Sequence, residues 1–140
     1  MINKKIKIDD ILVSEFMIYN PIFTTPEAKI SNTELLMLRK KIGGLPVVKD
    51  EVSKELIGII TQRDIRLARF AMDLETTKTR VRDLMTENPI FVKESDNLKR
   101  VMKLMFENDI ERLPVVDTRN QLIGIVSQTD VRKVLYKILV

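Results

Sequence analysis

The chain is written twice, and this constrains its fold more than any other feature. Val13 to Val48 aligns without a gap to Val81 to Val116 at a constant shift of 68 residues. Within that stretch Met17 matches Met85, Asn20-Pro21-Ile22-Phe23 matches Asn88-Pro89-Ile90-Phe91, and Leu45-Pro46-Val47-Val48 matches Leu113-Pro114-Val115-Val116. A loop then shortens by two residues, and Leu56-Ile57-Gly58-Ile59 matches Leu122-Ile123-Gly124-Ile125 at a shift of 66, as Asp64 matches Asp130. Whatever one copy folds into, the other must fold into as well.

Each copy carries the same local signals. Asn-Pro marks a turn and biases the Asn towards an extended conformation, so Ile22-Phe23-Thr24 and Ile90-Phe91-Val92 are predicted as short strands. A helix follows: Leu98, Val101, Met102 and Met105 fall at the spacing of one buried stripe, and copy one has Ile30, Met37 and a crowded Leu35-Leu36-Leu38 in its place. Pro46 and Pro114 each open an apolar strand, where a missing N–H does least harm. A polar loop leads to Leu56–Ile60 or Leu122–Val126, as in a hairpin, and a last helix closes each copy. The predicted organisation is an N-terminal extension (1–12), repeat one (13–72), a polar linker (73–80) and repeat two (81–140), each repeat reading β-α-β-β-α in an α+β fold.

Composition removes several functions. With no Cys there is no disulfide, thiolate nucleophile or thiolate metal site, and with no His the commonest general base and metal ligand is missing. No G-x-G-x-x-G or G-x-x-x-x-G-K-[ST] motif is present, so catalysis is not expected and no metal is called for. No apolar run is long enough to span a bilayer and the basic start has no apolar region behind it, so a cytoplasmic protein is expected. The net charge of +4 comes from basic residues with acidic ones among them, which argues against nucleic acid as the partner.

The succession V-x-[DE]-x-M-x-x-N-P-I, then [GR]-LPVV, then L-I-G-[IV]-[IV]-[ST]-x-x-D, present twice, resembles the CBS domain, and the chain is identified as a tandem CBS pair (Bateman module). The resemblance runs from about Val13 to the C-terminus. It implies two pseudo-symmetric repeats packed sheet to sheet into one module, clefts that take AMP, ADP, ATP or S-adenosylmethionine, and frequent homodimerisation. No effector domain accompanies the pair, so the response is expected to reach an unknown effector protein.

Thr61-Gln62-Arg63-Asp64 and Ser127-Gln128-Thr129-Asp130 stand where a strand passes into a helix, and both fit [ST]-x-x-[DE]. One reading is a capping box, in which hydroxyl and carboxylate satisfy free N–H groups. The other uses the same helix start as an anion site. The resemblance implies that Asp64 and Asp130 hold ribose while Thr61 and Ser127 face phosphate. It also lines the adenine slot with Ile22, Leu45 and Pro46, or Ile90, Leu113 and Pro114, although apolar side chains in short strands read first as plain core. The copies differ in basic residues: Arg112 precedes Leu-Pro where copy one has Gly44, and Arg63 lies in the first box where copy two has Thr129. Either arginine suits a phosphate.

Two rival functions are carried forward. An interaction module without nucleotide would use the apolar residues around the first helix of copy one (Ile30, Leu35, Leu36, Leu38, Ile42), where a homodimer surface is expected. A nucleic-acid regulator would use Arg63, Arg66 and Arg69, a spacing that a solvated helical face also explains.

Overall fold

The computed structural model describes residues 7–140, so the first half of the N-terminal extension lies outside the described residues. The chain forms two compact units: Ile22–Pro89, called here the copy-one unit, and the residues up to Pro21 together with Ile90–Val140, the copy-two unit. No helix among the described residues is long and apolar enough to cross a membrane.

The copy-one unit contains the helix Ile30–Lys40, the strands Gly44–Val48 and Leu56–Thr61, the helix Gln62–Ala71, the short helix Val81–Leu84 and the strand Thr86–Glu87. In the copy-two unit, two single turns of 3-10 helix precede the strand Ile18–Tyr19, and then come the helix Leu98–Asn108, the strands Arg112–Val116 and Leu122–Ser127, and the helix Gln128–Leu139. In chain order the strands are β1 (Ile18–Tyr19), β2 (Gly44–Val48), β3 (Leu56–Thr61), β4 (Thr86–Glu87), β5 (Arg112–Val116) and β6 (Leu122–Ser127). The helices are α1 (Ile30–Lys40), α2 (Gln62–Ala71), α3 (Val81–Leu84), α4 (Leu98–Asn108) and α5 (Gln128–Leu139).

Each unit has a three-stranded antiparallel sheet, in the order β2-β3-β4 or β1-β6-β5. The hairpins β2–β3 and β5–β6 share one register, with Gly44 opposite Thr61 and Arg112 opposite Ser127, and both carry an irregularity at the last Val-Val step. The third strand of each sheet comes from the leading segment of the other copy. Ile18 and Tyr19, from the start of copy one, pair with Ile125 and Gly124, while Thr86 and Glu87, from the start of copy two, pair with Ile59 and Gly58. The repeat boundaries in the sequence and the compact units in space are therefore offset by one segment.

These leading segments explain the glycine in each L-I-G-I stretch. A Cβ on Gly58 would come within 2.9 Å of Met85 Sδ and 3.0 Å of the Thr86 carbonyl, and on Gly124 within 2.9 Å of Met17 Sδ and 3.1 Å of the Ile18 carbonyl. Neither glycine has a positive φ. They are needed for the close approach of thioether and strand, not for backbone freedom.

The strands predicted at Ile22-Phe23-Thr24 and Ile90-Phe91-Val92 are reduced to single parallel bridges, Thr24 to Val47 and Val92 to Val115. Thr24 N donates to Pro46 O at 3.0 Å and Val48 N to Thr24 O at 3.0 Å, with the same pair of bonds around Val92. The ladder stops there because a turn follows at once, closed by Ala28 N to Thr25 O in copy one and Asp96 N to Lys93 O in copy two. In copy one Pro26 takes the second turn position, which its fixed φ suits.

The predicted helical stripes are the core. Leu98, Val101 and Met105 are buried with Leu113, Val115, Val126 and Val131, while Ile30 and Met37 are buried with Leu45, Val47, Ile60, Ile65 and Val81. On α1, Leu36 packs against this core, whereas Leu35 and Leu38 are exposed. Among the described residues six non-glycine residues adopt positive φ, in three pairs related by the duplication: Asn20 and Asn88, which are thus left-handed and not extended before their prolines, Lys41 and Asp109, and Lys54 and Asn120. The repeat is thus preserved in the backbone even where the side chains have diverged.

Candidate functional site

Both [ST]-x-x-[DE] stretches form closed capping boxes at the junction of strand and helix. At the start of α2, Asp64 N donates to Thr61 Oγ1 at 3.2 Å and Thr61 N to Asp64 Oδ2 at 2.9 Å. At the start of α5, Asp130 N donates to Ser127 Oγ at 3.2 Å and Ser127 N to Asp130 Oδ2 at 2.8 Å. The next amide of each helix is taken by the chain entering β2 or β5, Gln62 N by Gly43 O at 2.8 Å and Gln128 N by Glu111 O at 2.9 Å. Three of the four free donors of each helix start are thereby satisfied.

The boxes leave acceptor capacity over. An ionised carboxylate offers about four lone-pair sites. Asp64 and Asp130 accept through Oδ2, and among the described residues no donor stands on Oδ1 of either. Capping and ligand binding are therefore compatible: one oxygen fixes the carboxylate while the other stays available to a hydroxyl. The copies differ in their hydroxyls, because Ser127 Oγ also donates to Asp130 Oδ2 at 2.9 Å. Asp130 is buried, whereas Asp64 is half-buried.

Each compact unit contains one complete set of the residues singled out from the sequence. The copy-one unit holds Ile22, Leu45, Pro46, Thr61, Arg63 and Asp64, and the copy-two unit Ile90, Arg112, Leu113, Pro114, Ser127 and Asp130. Within a set the roles divide. Leu45 and Leu113 are fully buried in the cores, so their side chains are packing residues and only their backbone is left to meet a ligand. Pro46 and Pro114 are buried too, and their carbonyls accept from Thr24 N and Val92 N. Ile22 and Ile90 retain the same partial exposure in the extended segments after Asn-Pro, 38% each.

Arg63 is exposed on the first turn of α2. Arg112 differs: its side chain is 19% exposed, and its nearest carboxylate is that of Glu111, at 3.7 Å. Burial holds the Arg112 guanidinium below its ordinary value, with Glu111 acting weakly in the other direction. Sequence reasoning missed a buried polar contact in copy one, where the hydroxyls of Thr24 and Thr33 lie 3.3 Å apart. Nothing in the local sequence marks it, since Thr24 lies in the extended segment bridged to Val47 and Thr33 on the helix α1. Among the described residues no cluster of acidic side chains could hold a metal ion.

Known proteins agree with this arrangement. The CBS domain family matches the chain twice, over residues 13–70 and 81–137. Inosine-5′-monophosphate dehydrogenase of Bacillus subtilis (strain 168) is 35% identical over 120 residues, which is 85% of this chain and 23% of that enzyme. The chain thus spans about a quarter of the length of the curated relatives it matches. Among solved structures, CBSX2 in complex with AMP is 31% identical, with 93% of this chain and 99% of that chain covered and a TM-score of 0.82. The CBS domain pair of protein MJ0100, in complex with 5′-methylthioadenosine and S-adenosyl-L-methionine, is 31% identical over 89% of this chain and 98% of its own, with a TM-score of 0.77. On the doubled family match, the shared register of its two hairpins and its two capped helix starts, the chain belongs to the CBS domain family, of which it carries a tandem pair.

Proposed function

We propose that the chain is a regulatory module that binds an adenosine-containing ligand, AMP, ADP, ATP or S-adenosylmethionine, and reports its occupancy to a partner protein. The observation that carries this reading is the Oδ1 of Asp64 and Asp130, which takes no donor among the described residues and is held at a capped helix start beside a hydroxyl. Such an oxygen suits ribose hydroxyls, and the one amide that the box leaves over at each helix start, with the field of the helix, suits a phosphate. Solved CBS pairs with AMP and with S-adenosyl-L-methionine support it from outside. The chain binds rather than catalyses, because it has neither His nor Cys to serve as base or nucleophile.

A thermal-shift screen over AMP, ADP, ATP, S-adenosylmethionine, NAD and cyclic dinucleotides tests the reading. A true ligand at a hundredfold excess over its Kd stabilises the chain by about 2.7 kcal/mol. Asp64→Ala and Asp130→Ala together should abolish the shift. A double variant that binds as well as the parent would refute the assignment.

Homodimerisation belongs to the same proposal. Leu35, Leu38, Leu67 and Phe70 on α1 and α2 are all exposed, Phe70 at 88%, which is more apolar surface than a lone unit needs to show. The nucleic-acid reading loses support, because Arg69 is already engaged by Glu34 through two bonds of 2.6 Å. A cytoplasmic location belongs to the same proposal, supported by a sequence of 140 residues without cysteine.

A further inference from the structure

The two copies put different chemistry at one position of the same ladder. Arg112 faces Ser127 across β5 and β6, and Gly44 faces Thr61 across β2 and β3. Directly opposed residues in an antiparallel pair project to the same face with Cβ atoms about 4.5–5.5 Å apart. The Arg112 side chain therefore leaves the sheet beside the Ser127 hydroxyl and the start of α5. At the matching place in copy one there is no side chain, and backbone conformation does not demand this, since Gly44 has no positive φ.

Arg112 is poorly compensated where it stands. Its side chain is 19% exposed, while Glu111, at 3.7 Å, is 67% exposed. Burial weakens the charged form of the guanidinium, and Glu111 only partly restores it. An incoming dianion would supply the missing counter-charge in surroundings with little water, where attraction is strong. Arg63, the basic residue of the copy-one set, sits in solvent, where salt and water screen it.

We infer that the two sets are chemically unequal: Arg112 makes the copy-two set selective for adenosine compounds bearing a 5′-phosphate, and Gly44 leaves the copy-one set to adenosine compounds whose 5′ group carries none. This deepens the function proposed above and rests on it. A sulfonium or thioether at the 5′ position meets no guanidinium beside Thr61, but would meet one beside Ser127.

Calorimetric titration of the full chain with AMP and with 5′-methylthioadenosine separates the two claims. The parent should show one strong AMP site per chain. Arg112→Gln should lower the preference for AMP over 5′-methylthioadenosine roughly ten- to a hundredfold, the worth of a charge-assisted pair. Gly44→Arg should add a second strong AMP site. If neither compound binds the parent although another adenosine compound of the thermal-shift screen does, this inference alone is overturned; if none of them binds, the nucleotide reading fails and this inference with it. If both bind but Arg112→Gln leaves the preference unchanged, the inference alone is overturned. Because Gly44 is buried and its variant could fail to fold, the Arg112 arm decides on its own.

Discussion

The hydroxyls of Thr24 and Thr33 meet 3.3 Å apart inside copy one, at the two positions where copy two has the buried Val92 and Val101. Duplication has left the chain with its own double substitution. Removing one hydroxyl strands the other away from water, at a cost of about 1–3 kcal/mol, whereas replacing both by apolar groups of the same shape is nearly neutral. Thr24→Val and Thr33→Val should each destabilise the chain in urea titrations, and the double variant should recover to within about 1 kcal/mol of the parent. Strictly additive losses would show that the pair makes no bond in solution.

A second such pair joins α1 to α2. Glu34 and Arg69 form a bidentate contact at 2.6 Å, and the equivalent positions in copy two are Met102 and Leu135, both packed against the core. The Arg69 fork holds the Glu34 carboxyl below the usual glutamate range, and the same contact raises Arg69. A lowered folded-state value means that the pair stabilises above the unfolded glutamate value and that this contribution disappears as pH falls through the folded one. Both side chains keep partial contact with water, at 29% and 47% exposure, so the effect is modest, about 0.5–1 kcal/mol. Glu34→Gln should be less stable than the parent at neutral pH by that amount, and the gap should close in the acid branch below about pH 4. The combined Glu34→Met, Arg69→Leu variant should match or exceed parental stability, as apolar replacements of ion pairs often do.

Lys41 ends α1 in a left-handed conformation, φ 56° and ψ 44°, as Asp109 ends α4. That conformation costs a side chain roughly 1–2 kcal/mol, and glycine escapes it while giving back about 0.5–1 kcal/mol in chain entropy. Lys41→Gly should therefore raise Tm by about 1–4 °C, whereas Lys40→Gly, one residue back within the helix, should lower it by a similar amount. Calorimetric melting of both variants checks the sign.

The ligand reading makes one prediction that no stability measurement can mimic. If Oδ1 of Asp64 or Asp130 accepts from a ribose hydroxyl, 2′-deoxyadenosine nucleotides lose one charge-assisted bond and bind roughly ten- to a hundredfold more weakly. Competition between ribo and deoxy forms measures this directly, and equal binding would remove the carboxylates from the site.

The sequence made legible whatever is local. The boxes at Thr61 and Ser127 could be foreseen because all the partners of a helix cap lie within four residues, and the stripe Leu98, Val101, Met105 because its spacing is that of the helix itself. The register that sets Arg112 against Ser127 came with the hairpin but needed the structure to fix it. β1 and β4 were out of reach: each is two residues long with both side chains exposed, so no alternation marks them, and their partners lie far along the chain. The same holds for the strands expected at Ile22 and Ile90, which the following turns cut to one bridge. In the adenine slot, Leu45 and Leu113 were offered two roles by pattern alone, and burial gives their side chains to the core.

The exchange of leading strands sets an order of assembly. Residues 22–89 are contiguous, so a chain emerging from the ribosome can close that unit while residues 90–140 are still being added. The other unit has to wait, because Tyr19 cannot find Gly124 until the residues between them, the copy-one unit included, have been made. Cutting the gene at the repeat boundary would give two fragments, each with a sheet one strand short and a bare edge along β3 or β6.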